Sequence, residues 1–180
     1  MITRITFGAP PPAAVPPVRT ARGEVLVELS PDALAEVVTV EWFETPPAEG
    51  EILAEQHVVR GAGWLEARWR DGGPRYKHMA FARRAEGLTA AEFATRWRSH
   101  AGTVGGVPIS DEAKGCAYAQ DHPLPRVREW PFDAVNEVWF DSLDAVRRRV
   151  EWFAQNHDPG GDALFGPSRF LVVRETVVDE

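Results

Sequence analysis

The stretch Arg75–Arg98, RYKHMAFARRAEGLTAAEFATRWR, runs directly into Ser99-His100-Ala101, and its reading decides the fold. Tyr76 to Arg83 has the residue types of a strand, and Ala85-Glu86-Gly87 makes a turn. Thr89-Ala90-Ala91-Glu92 is then a capping box, in which the Thr89 hydroxyl accepts from the Glu92 amide and the Glu92 carboxylate reaches back. The spacing predicts a helix to about Ala101, with Phe93, Trp97 and His100 or Ala101 along one side.

Downstream, Gly115 to Asp121 (GCAYAQD) reads as a strand, and Pro123, Pro125 and Pro131 mark a loop. Ala134 to Phe140 (AVNEVWF) is a further strand. Ser142 opens a second helix whose apolar positions Leu143, Val146, Val150 and Phe153 have the spacing of one buried face. A glycine- and proline-containing loop, 157–167, leads to a last strand over Arg169 to Val178. The order from residue 75 is strand, helix, strand, strand, helix, strand. Such a split βαβ repeat predicts the α+β, ferredoxin-like arrangement: a four-stranded antiparallel sheet with both helices on one face. The other face then needs a second sheet, from a second subunit or from elsewhere in the chain.

Upstream, residues 9–17 (APPPAAVPP) form a proline-rich loop. Glu24 to Leu29 and Val37 to Phe43 read as strands, Glu49 to Val58 as a short helix, and Trp64 to Trp69 as another strand. Asp71-Gly72-Gly73-Pro74 is the expected internal boundary, dividing a β-rich part, 1–73, from the domain 74–180. Thr39-Val40-Glu41-Trp42-Phe43 echoes Asn136-Glu137-Val138-Trp139-Phe140. The first part is either a degenerate copy of the second, with strands over 2–7, 24–29, 37–43 and 64–69, or an unrelated β-rich extension.

The 180 residues suffice for one domain or two small ones, and 44% hydrophobic with 26% charged residues is a globular composition. A formal net charge of −7 argues against a nucleic-acid partner. The run Arg147-Arg148-Arg149 reads as a solvated helix face beside acidic residues. The single cysteine, Cys116, rules out an internal disulfide and multi-cysteine metal motifs, which fits a reducing cytoplasm. The proline-interrupted N-terminus has no apolar signal-peptide core, and no apolar run has the length of a membrane span. A cytoplasmic protein without membrane contact is the expectation. Seven tryptophans point to aromatic cores or to pockets for flat ligands.

From residue 75 onward the chain resembles an EthD-like domain of the dimeric α+β barrel superfamily. The likeness is carried by Lys77, Arg83-Arg84, Gly87-Leu88-Thr89, Glu92-Phe93, Trp97 and His100. It continues in Tyr118-Ala119-Gln120-Asp121-His122, in Glu137-Val138-Trp139-Phe140-Asp141, in Phe165, and in Leu171-Val172-Val173-Arg174-Glu175. It covers a little over half the chain. The resemblance implies two sheets pressed into a barrel, dimeric or pseudo-dimeric, with a pocket between sheet and helices. It also implies that the histidine of the first helix faces that pocket. Ala101-Gly102-Thr103 departs from the commoner His-x-Pro continuation, and the long N-terminal part departs from a simple two-fold dimer.

His100 is the leading chemical group, since imidazole exchanges protons near neutral pH; capping the helix's last carbonyls is its alternative use. The two-residue period puts Cys116, Tyr118, Gln120 and His122 on one strand face. Tyr118 could donate to a carbonyl or enolate oxygen there, and His122 could be a second acid or base. Glu137 shares a face with Val135 and Trp139, and is read as either the orienter of His100 or the partner of an arginine. His78, Trp97, Phe93 and Trp139 are the expected substrate-binding residues, with Ala80 and Ala82 small enough to leave room.

No metal-ligand spacing and no glycine-rich nucleotide fingerprint is present, so neither a metal nor a cofactor is expected. The expectation is a cofactor-independent enzyme of cyclase, dehydratase or isomerase type, acting by histidine acid–base catalysis on a small apolar or aromatic carbonyl compound. A cofactor-free monooxygenase of an aromatic substrate and a non-catalytic small-molecule-binding accessory protein are the alternatives. The expected assembly is a homodimer, or a monomer if the N-terminal part completes the barrel.

Overall fold

A computed structural model of the protein describes residues 1–31, 33–72, 75–104, 106–125, 129–156 and 163–178. Its strands are β1 (Ile2–Phe7), β2 (Arg19–Val25), β3 (Val37–Phe43), β4 (Ile52–Arg60), β5 (Arg75–Arg84), the short pair β6 (Thr103–Val104) and β7 (Val107–Pro108), β8 (Ala117–Pro123), β9 (Ala134–Phe140) and β10 (Phe165–Val178). Its helices are α1 (Ala62–Asp71), α2 (Ala90–Arg98) and α3 (Leu143–Asn156). Eight strands close into an antiparallel barrel in the order β1-β3-β2-β10-β5-β9-β8-β4, with β4 returning to β1. In each half of the chain the strands lie in the order fourth, first, third, second. The halves join where β4 pairs with β8 and β2 with β10.

Alternation along the strands decides what the barrel encloses. In β5, Lys77, Met79 and Phe81 pair with Trp139, Glu137 and Val135 of β9 and, like Val173 and Leu171 of β10, point inward. Ile5, Val40, Trp42, Ile52 and Ala54 fill the interior from the N-terminal strands. Phe7, Phe81 and Phe132 pack ring on ring, with centroids 5.2 and 5.3 Å apart. Toward the other end of the barrel, α1 sets Trp69 edge-on against Trp42, with centroids 5.0 Å apart, and Leu65 against Ala117, Ala119 and Trp139.

The N-terminal part differs from expectation in three places. The second strand is Arg19–Val25 rather than 24–29, whose last residues form a 3-10 turn, Val27–Leu29. Residues 52–60 form a strand where a helix over 49–58 was expected. The helix formers Leu53, Ala54, Glu55 and Gln56 yield because this strand has a partner on each side, β1 and β8, and without it the barrel stays open. Residues 62–71 form a helix where a strand over 64–69 was expected, because Leu65 and Trp69, four apart, share the face that meets the barrel. Its start depends on Gly61, at φ 79°, where a Cβ would lie 2.3 Å from the Cys116 carbonyl oxygen.

The C-terminal elements fall closer to expectation. The capping box at Thr89 and Glu92 forms, and contributes about 1 kcal/mol to holding the start of α2. That helix ends at Arg98 rather than 101, and β8 runs over 117–123 rather than 115–121. The last strand begins at Phe165, with a bulge before Ser168. The turn at Gly73-Pro74, with the boundary placed there, and most of the loop 157–167 lie outside the described residues. No helix among the described residues is long and apolar enough to cross a membrane.

Candidate functional site

The outer face of β5, β8, β9 and β10 is floored by small and apolar side chains. Ala80 and Ala82 come from β5, Val138 from β9 and Phe170 from β10, with Tyr118, Asn136 and Ser168 among them. Over this floor lie the end of α2, the segment that carries β6 and β7, and α3. A cavity of about 410 Å³ remains between floor and cover. Ala80 and Ala82 leave the room that their size suggested.

His100 sits on the cavity wall just past α2, and its amide donates to the Trp97 carbonyl at 2.9 Å. Its ring meets Phe165 edge-on, with centroids 5.6 Å apart, and makes no hydrogen bond among the described residues. The cap of α2 comes instead from Gln120, whose Nε2 donates to the carbonyls of Trp97 (2.9 Å) and His100 (3.0 Å). The same amide lies 3.1 Å from the Tyr118 hydroxyl, its two hydrogens shared among the three acceptors, and that hydroxyl donates to Asn136 Oδ1 at 2.6 Å. Gln120 therefore fixes the backbone of His100 and the phenol of Tyr118 together. Burial pushes the Tyr118 phenol up to about 12, so near neutral pH it keeps its proton and acts as a donor.

Arg149 is the residue the sequence reading missed. It was taken for part of a solvated face, yet it is 6% exposed, lines the cavity from α3 and lies over the Phe153 ring at 4.3 Å. Its Nη1 donates to the Ala113 carbonyl at 2.7 Å, while its Nε is buried without a partner among the described residues. Among the described residues no carboxylate pairs with it. Burial pushes its guanidinium down to about 9, which leaves it charged at neutral pH. The signal lay in the spacing. Residues 146, 149, 150 and 153 follow the 3, 4, 7 pattern of one helix face, so Arg149 interrupts an apolar stripe.

Glu137 lies on the opposite face of β9. Inside the barrel it is bound by Lys77, and accepts from Gln56 Nε2 at 2.9 Å. The expected pairing of Glu137 with His100 does not form, because alternation sends Asn136 and Val138 to the cavity and Glu137 inward. Lys77 also donates to Glu175 at 2.9 Å, and Trp139 Nε1 donates to the other Glu175 oxygen at 2.9 Å. Burial alone would lower the Lys77 ammonium, but Glu137 and Glu175 hold it above its ordinary value. Burial would likewise raise the Glu175 carboxyl, but Lys77 and Arg75 hold it below. Burial first and the Glu137 carboxyl second keep Asp121 well above the usual carboxylate range, and Thr3 donates to it at 2.8 Å.

The remaining candidates do not line the cavity. His122 shares the Tyr118 face but packs against Trp97, with centroids 4.2 Å apart, and its Nε2 meets Gln120 Oε1 at 3.2 Å. Burial, then Arg98 and His57, push it down to about 4, so it is neutral near pH 7. His78 stacks on Phe170 (5.5 Å) with Phe153 beside it (5.3 Å), and burial, then Arg149, push it down to about 3. Phe93 stacks on Trp97 beneath α2, and Trp139 faces the barrel interior. Cys116 donates to Asp141 at 3.3 Å, and burial raises its thiol. Among the described residues no cluster of three or more histidine, cysteine or acidic side chains could hold a metal.

Comparison of the chain with known protein families, with curated proteins and with solved structures finds no match.

Proposed function

We propose that the protein is a cofactor-independent enzyme that moves protons on a small, flat carbonyl compound bound in the cavity between sheet and helices. The observation that carries this reading is that His100, from the cover, and Tyr118, from the floor, line one largely apolar cavity of about 410 Å³. His100 takes or returns the proton beside the carbonyl, its ring packed on Phe165 and without a hydrogen bond among the described residues. Tyr118, whose oxygen accepts from Gln120, turns its one proton from Asn136 Oδ1 toward the oxygen on which negative charge develops. Cyclisation, dehydration and isomerisation all use such a step. The fourth-first-third-second order in both halves supports reading the barrel as two ferredoxin-like repeats in pseudo-two-fold relation, with the proline-rich loop standing in the first where its first helix would be. Eight strands of one chain close the barrel, which favours the monomer over the dimer.

The test is deuterium exchange beside the carbonyl of aryl methyl ketones in D2O, followed by proton NMR. The protein should accelerate exchange, His100→Ala should lose about a hundredfold or more, and Tyr118→Phe about tenfold. Ketone binding, read by ligand line broadening, should survive both substitutions. A His100→Ala protein that exchanges at the original rate would sink the reading.

A further inference from the structure

We propose that the cavity is built for an anion, and that Arg149 is the residue that binds the carboxylate of a flat aryl or enolisable acid. This deepens the reading above and rests on it only so far as the cavity is a small-molecule site. The chain is acidic overall, at −7, yet the described lining of this cavity contains no aspartate or glutamate. It contains Arg60, Lys114 and Arg149 instead, with His100. Lys114 is matched outside by Asp111 at 2.7 Å, and Arg60 is turned to the Gly115 and Lys114 carbonyls. Arg149 has no such counterpart among the described residues. A guanidinium carries five donors, and one of those here reaches a carbonyl at 2.7 Å while the Nε has no partner among the described residues.

Burying a charge without an opposite one is expensive, and proteins keep such a group where a ligand supplies what is missing. The planar fork of arginine suits a carboxylate, whose two oxygens accept from it side by side. The rest of the wall fits the other end of such a molecule. Ala80, Val138 and Phe170 offer a flat apolar floor, and the Tyr118 phenol stays protonated beside it. The ligand is therefore an aromatic or conjugated body with one ionised carboxyl group.

Calorimetric titration with 2-naphthoate and with its methyl ester, at fixed ionic strength, tests this directly. The wild-type protein should bind the acid about tenfold or more tighter than the ester. Arg149→Met should erase that preference and leave ester affinity within about twofold. His100→Ala should keep the preference, which separates this inference from proton transfer. Equal binding of acid and ester by the wild-type protein overturns it, as does no binding of the acid, or an Arg149→Met protein that folds and still prefers the acid. If Arg149→Met does not fold, Arg149→Lys decides, since it keeps the charge but loses the fork: an unchanged preference overturns the proposal. Acid preference without exchange in any ketone would leave this inference standing and remove the enzymatic one.

Discussion

On the inner face of β5, β9 and β10 each described buried cation has met an opposite charge, whereas behind the outer face Arg149 has met none among the described residues. Lys77 joins Glu137 and Glu175, and Arg75 lies 3.3 Å from Glu175 and over the Trp69 ring at 4.2 Å. The third carboxyl, Asp121, is held well above the usual carboxylate range by burial and by the Glu137 carboxyl. On the other side of the sheet, Arg149 keeps one bond to a carbonyl and, among the described residues, meets no carboxylate. Equal burial with unequal pairing is what separates a charge that builds the fold from one that awaits a partner. Charge alone, or burial alone, would have ranked Lys77, Glu137 and Arg149 together.

The comparison is broken most readily at its inner side. Lys77→Met should destabilise the protein by about 3–5 kcal/mol in urea unfolding, because it strands Glu137 and half of the Glu175 pairing in the barrel. Adding Glu137→Gln should restore much of the loss, since Glu175 retains Arg75. A single-variant cost below about 1 kcal/mol would mean that the interior charges are not paired in the way that the contrast needs.

A second test uses pH. His78 and His122 have folded values of about 3 and about 4, both below the ordinary 6.5, because burial resists their protonation. The unfolded chain therefore binds protons that the folded one refuses, and stability present above pH 6.5 falls as the pH drops toward those values. Between pH 7.5 and 4.5, His78 should contribute a loss of about 2–3 kcal/mol. His78→Phe, which preserves the ring stack on Phe170, should remove that part of the slope in urea melts at the two pH values. An unchanged slope would show that His78 is accessible to protons, and with it the cavity side of the sheet.

Much of the barrel's C-terminal half was legible because its local signals agree. The capping box at Thr89, the alternation of AVNEVWF and the stripe from Leu143 to Phe153 each specify their element without help from distant residues. The N-terminal half was misread where tertiary partners overrule composition. Ile52–Arg60 is rich in helix formers and is a strand only because β1 and β8 flank it. Trp64 to Trp69, expected as a strand, is a helix because its Leu65 and Trp69 meet the barrel. At the site, the faces of β8 and β9 were readable from the period of two, which places Tyr118 outward and Glu137 inward. What no period reveals is which face the helices cover, so Glu137 could be assigned to His100 only by guessing, and Arg149 passed for a surface charge beside Arg147 and Arg148.

The smallest predicted effect is also the one of opposite sign. If Arg149 waits for a ligand, the empty protein carries its desolvation cost, and Arg149→Met should stabilise it by about 1 kcal/mol, raising the melting temperature by about 2–4 °C. The hydrogen bond to Ala113 and the packing on Phe153 work against this gain, which is why it is small. Saturating 2-naphthoate should reverse the order, because only the wild-type protein gains from binding the carboxylate. Scanning calorimetry with and without the acid reads both signs in one experiment. A variant less stable than the wild type, with no crossing when the acid is added, would place Arg149 beside Lys77 as a structural charge and close the gap between the two faces.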